Sequence, residues 1–132
     1  MSEQAAAQLQ ANKTIVTAFY ELAFNERQPQ LAAQRYLATD YRQHNAEVAD
    51  GSDGFVQFAS AFAQAHPQLQ LQIKRVLAEA DFVVLHVHAR LTPDERGAVV
   101  IDIFRLQHGR IVEHWDAVQP IPQQSMNSSG PF

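Results

Sequence analysis

The residues able to do chemistry gather in three short stretches. Residues 113 to 116 read Glu-His-Trp-Asp, the preceding strand-like run carries Asp102, and residues 41 to 45 read Tyr-Arg-Gln-His-Asn. Carboxylates beside an imidazole are the parts of acid/base catalysis: one group takes a proton, and a hydrogen-bond donor steadies the charge that forms. Asp116 is the candidate base, His114 and His44 are candidate donors, and Asp102 would orient His114 and fix its tautomer. Tyr20 is a further donor if its hydroxyl points into a cavity. Burial among apolar side chains disfavours the charged form of such an aspartate, which suits a base.

Other chemistries are poorly served. The chain has no cysteine, which excludes disulfides, thiol nucleophiles and thiolate metal sites together. His86 and His88 stand two apart on one strand face, as a pair of metal ligands would, but the spacing supplies no third ligand and no metal site is assigned. The formal charge of -4 comes from 14 acidic and 10 basic residues scattered along the chain, so no basic run is present to neutralise phosphates and nucleic acid is not an expected partner. The first residues lack the basic start and apolar run of a signal peptide, and no apolar stretch approaches the roughly 20 residues of a membrane span. A cytoplasmic protein with no membrane contact is the expectation.

The elements that must position these groups follow from hydrophobic period. With 132 residues, 46% of them hydrophobic and 18% charged, the chain suits a single domain, residues 1–132. Leu9, Ile15, Val16, Phe19 and Leu22 recur every three or four positions and predict a helix from about residue 4 to about residue 25. A second, shorter helix follows Pro29, and a third, capped by Ser52 or Asp53, carries Phe55, Phe58 and Phe62 on one stripe until Pro67 stops it. The polar segment between them, with Tyr41 to Asn45, reads as a loop. After Pro67 the period becomes that of strands, and four β-type runs joined by connections too short for crossovers predict an antiparallel meander. Three helices followed by a sheet is an α+β pattern, with the helices on one face. Residues 120–132 read as an extended arm docked through Phe132.

Strand alternation then sorts the polar groups. Val83, Leu85 and Val87 face the core, and Phe82, Val84, His86 and His88 lie opposite. The turn Leu-Gln-His-Gly-Arg leaves two registers open. A three-residue loop places Asp102 opposite His114 and puts both on the face of Asp116, whereas a two-residue turn at His108-Gly109 places Asp102 opposite Trp115. A carboxylate opposite a histidine is a paired polar site, which favours the first. Glu113 then falls on the other face as a solvated charge, and Trp115 serves as packing or as a platform for a ligand.

The order helix, helix, polar segment, helix and long meander resembles the nuclear transport factor 2-like superfamily and, within it, the SnoaL-like polyketide cyclases. Tyr-Arg-Gln-His-Asn with the Asp-Gly turns after it, residues 101–122, and the tail Asn-Ser-Ser-Gly-Pro-Phe together are similar to a branch described as predicted SnoaL-like aldol-condensation enzymes. The resemblance implies a cone-shaped α+β barrel, a curved sheet around an apolar pocket, a short strand near Tyr41, and a homodimer through the outer sheet face. It also implies a carboxylate acid/base working without cofactor, with Asp116 in the strand where the cyclases keep theirs and His44 in the loop that closes the pocket. The chain departs from many SnoaL-like sequences at Gln119, where they carry an acidic residue, and in lacking a leucine-rich C-terminal helix. The expected function is a cyclase or isomerase acting next to a carbonyl on a small apolar molecule; the alternative is a non-catalytic binding module of the same fold. Tyr20, Tyr41, Trp115, His88 and Phe58 are expected to contact the ligand.

Overall fold

The computed structural model describes all 132 residues. Helix α1 (Glu3–Tyr20) begins at Ser2, whose hydroxyl accepts the Ala5 amide at 3.0 Å. It does not continue as α-helix to residue 25, because a π-helical turn, Glu21–Asn25, follows directly on Tyr20. Such a turn rotates the residues beyond it relative to an unbroken helix. Here Asn25 meets the sheet and bonds both the N–H and the C=O of Leu71, at 3.0 and 2.8 Å. Helix α2 (Pro29–Tyr36) opens on its proline, and β1 (Leu37–Gln43) follows at once, where hydrophobic period suggests a loop and the family resemblance a strand. Helix α3 (Gly51–Ala65) starts after Asp50 rather than at Ser52 or Asp53, and no side chain caps it. The Asp50 carboxylate instead accepts from the backbone N–H of Gln43, at 2.8 Å.

Strands β2 (Gln70–Glu79), β3 (Phe82–Arg90), β4 (Ala98–Gln107) and β5 (Arg110–Pro120) form the expected antiparallel meander, and β1 adds parallel to β5, giving the order β1-β5-β4-β3-β2. The curved sheet lays its inner face on the helices, an α+β architecture. Val83, Leu85 and Val87 are wholly buried there, and the Phe19 ring of α1 lies 5.1 Å from Phe55 and 6.0 Å from Phe104.

The hairpin between β4 and β5 decides which polar groups meet, and it corrects the favoured register. Gln107 pairs with Arg110 across a two-residue turn in which His108 and Gly109 both have positive φ, 51° and 75°, as a type I′ turn requires. That turn alone would set Asp102 opposite Trp115. A bulge at Val112 adds one residue to β5 between the pairs Leu106↔Ile111 and Arg105↔Glu113 and so restores the parity. Asp102 is therefore paired with Asp116 and His114 with Phe104, rather than Asp102 with His114, yet Asp102, His114 and Asp116 share the inner face. A Cβ on Gly109 would meet no atom within 4 Å, so Gly109→Ala isolates the backbone effect. It should cost about 1–2 kcal/mol, read as a lower urea midpoint with unchanged slope.

Beyond β5, the Ile121 amide bonds Gly97 O at 3.0 Å, and the arm ends with Phe132 over the outer face, its ring 4.7 Å from that of His88. No helix is long and apolar enough to cross a membrane.

Candidate active site

A cavity of about 460 Å³ lies between the inner sheet face and the helices. Phe24, Phe55, Phe58, Phe62 and Leu71 supply much of an apolar wall, and Tyr20, Asp102, His114 and Asp116 supply its polar side. The last turn of α1 delivers Tyr20. The paired strands β4 and β5 deliver the other three.

These side chains form one hydrogen-bonded chain. The Tyr20 hydroxyl donates to Asp102 Oδ2 at 2.8 Å, and the second oxygen, Oδ1, lies 2.8 Å from His114 Nε2. His114 Nδ1 lies 2.7 Å from Gln43 Oε1. That oxygen also accepts the backbone N–H groups of His44 and Asn45, at 3.1 and 3.0 Å. Backbone amides can only donate, so the Gln43 amide is oriented and His114 Nδ1 carries a proton. One more proton lies in the bond between Nε2 and Asp102, so the Asp102–His114 pair has no net charge. Asp116 stands beside it, Oδ2 at 3.9 Å from His114 Nε2, and both its oxygens accept from the single Asn45 Nδ2, at 3.0 Å. Burial raises the Tyr20 phenol well above its ordinary pKa, and the Asp102 charge adds to this. The phenol stays a donor at any ordinary pH.

Of the expected site residues, Tyr20, Tyr41, Phe58, Asp102, His114 and Asp116 line the cavity. Tyr41 is held by Gln43 Nε2, which donates to its hydroxyl at 2.9 Å, and burial raises its pKa as well. His44, Trp115 and His88 do not line it. Trp115 and His88 stand out of phase with the inward residues of their strands, and His44, directly after β1, continues the outward phase of Arg42. His44 stacks flat on Trp115, ring centres 4.8 Å apart, and His88 Nε2 bonds Arg96 O at 2.7 Å beneath Phe132. Gln43 and Asn45, which are not among the expected site residues above, line the cavity as well. Tyr41, Gln43 and Asn45 alternate with Arg42 and His44, a strand signal in five residues.

Glu113 is not the solvated charge expected of it. It is buried on the outer face, where His44 Nε2 donates to one oxygen at 2.7 Å and Arg105 Nε to the other at 2.9 Å. The His44 hydrogen bond, helped by Arg105 and Arg42 and opposed by burial, holds its pKa below the ordinary 4.5. The resulting stability is present above the ordinary value and is lost as pH falls through the lowered one. Glu113→Gln should therefore lower the urea midpoint at neutral pH and flatten the loss of stability between neutral and acid pH. An unchanged acid limb would contradict this.

Asp102, His114 and Asp116 are also the group that could hold a metal ion, with ligand atoms within 4.8 Å of one another. Entry of an ion at His114 Nε2 would have to break the bond to Asp102.

Known proteins share this arrangement of elements. Residues 16–114 match the family model described as SnoaL-like domain. No protein of curated function matches the sequence. A candidate isomerase of the SnoaL-like family from Agrobacterium tumefaciens is 19% identical over 83% of this chain and 98% of its own, with a TM-score of 0.70. TsrD from Streptomyces laurentii is 22% identical over 89% of this chain and 90% of its own, with a TM-score of 0.66. A candidate ketosteroid isomerase from Kribbella flavida is 20% identical over 92% of this chain and 85% of its own, with a TM-score of 0.70. At such identities the likeness is one of fold.

Proposed function

The chain belongs to the SnoaL-like domain family, and from that premise we propose that it is a cofactor-independent acid/base enzyme acting next to a carbonyl, an aldol-type cyclase or isomerase for a small apolar substrate. The observation that carries this reading is the convergence of Tyr20, Asp102, His114 and Asp116 on one side of an otherwise apolar cavity. Asp116 is the base. Its oxygens have one donor between them, so lone pairs remain to take the α-proton. The C–H electron pair forms the C=C bond and the carbonyl π pair moves to oxygen, where the Tyr20 hydroxyl or His114 Nε2–H, turning from Asp102, donates to the enolate in a largely apolar cavity. Asp102 has both oxygens engaged and serves as the positioning group. Return of the proton from Asp116 to another carbon is isomerisation; attack of the enolate carbon on a second carbonyl, whose oxygen then takes that proton, is aldol closure.

One observation favours the binding-module reading: every buried side-chain polar atom already has a partner within the chain. The two readings separate in deuterium oxide. The enzyme reading expects neutral ketones to lose their α-proton NMR signal faster with protein than in buffer, and the binding reading expects saturable binding without that loss.

A cytoplasmic homodimer, joined through the outer face where Leu77, Phe82 and Ile101 are exposed, completes the proposal. Light scattering after gel filtration should give twice the chain mass of 14.8 kDa.

A further inference from the structure

The charge balance of the cavity is one-sided. Among its 23 lining residues are Glu47, Glu95, Asp102 and Asp116, and there is no lysine or arginine. Nearby guanidinium groups are engaged elsewhere: Arg105 of β4 on Glu113 and Asp81, Arg90 of β3 on Gln70, and Arg96, between β3 and β4, on the Ile121 carbonyl. Inside, the Asp102–His114 pair is neutral as a unit, so Asp116, with Oδ2 3.9 Å from His114 Nε2 and only the Asn45 amide donating to it, leaves this side of the cavity net negative. Glu95 accepts the Leu91 amide, and Glu47 is exposed at the rim. An anionic group on a ligand would lose its hydration, find no lysine or arginine and lie near carboxylates. A positive group would meet Asp116 and the faces of aromatic rings such as Phe58 and Phe62.

We propose that this cavity selects its ligand by charge, taking uncharged or ammonium-bearing apolar molecules and rejecting carboxylates and phosphates of the same shape. The proposal rests on the cavity being the functional site and narrows its substrate class to carbonyl compounds without an anionic group. Three probes sharing one ring system test it: naphthyl methyl ketone, naphthylmethylamine and naphthoate, titrated by calorimetry at neutral pH. Ketone and amine should each bind at least about tenfold more tightly than naphthoate. Asp116→Asn should narrow the gap between amine and naphthoate. Naphthoate binding as tightly as either of the others would overturn the proposal, as would failure of both ketone and amine to bind. Because the titration needs no turnover, the two readings fail separately. The stated order without α-proton exchange keeps charge selection and removes the enzyme; exchange with naphthoate bound equally tightly does the reverse.

Discussion

Asp116→Asn should slow α-proton exchange by about 10²- to 10⁴-fold while changing ligand affinity by less than about tenfold. The substitution removes the basic oxygen and almost nothing else. The amide that replaces the carboxylate would still offer a carbonyl oxygen to Asn45 Nδ2, which now donates to both Asp116 oxygens at 3.0 Å. The pairing of this position with Asp102 across the strands is a backbone matter and should persist. Rates of exchange for one neutral ketone, measured by NMR for both proteins, give the ratio directly. An unchanged rate would assign the proton transfer to another group.

The second large effect is on stability. Asp102→Ala should destabilise the fold by about 3 kcal/mol, because it leaves the Tyr20 hydroxyl and His114 Nε2 without their shared partner in a buried site. Asp102→Asn is the informative companion. With His114 Nδ1 donating to Gln43, Nε2 can accept from the introduced amide while its oxygen keeps the Tyr20 bond, so most of the stability should return. Urea unfolding of the three proteins measures both. A loss below about 1 kcal/mol for the alanine variant would mean that cavity water replaces the carboxylate.

How far the sequence can be read depends on which signal each element relies on. The long helix and the meander are legible because many apolar residues repeat the same period, as Val83, Leu85 and Val87 do in β3. The shared face of Asp102, His114 and Asp116 is reached from sequence through a pairing that does not occur. A two-residue turn and the bulge at Val112 each shift the register by one, and their sum has the same parity as the three-residue loop. No local pattern announces that bulge beyond the adjacent buried residues Ile111 and Val112. Donor chemistry and the family resemblance place His44 in the pocket, although alternation from Tyr41 points it outward and Asn45 inward. The engagement of Glu113 by Arg105, Arg42 and His44 joins residues from three strands and the loop after β1, and only tertiary structure brings such partners together.

The most direct test is a crystal structure of the protein with a neutral aryl ketone bound. The proton-transfer geometry requires the ketone oxygen within hydrogen-bond reach of Tyr20 Oη or His114 Nε2 and the α-carbon about 3–3.5 Å from an Asp116 oxygen. A ketone whose carbonyl lies at the Phe58 and Phe62 end, with its α-carbon away from Asp116, would contradict the assignment of Asp116 as the base.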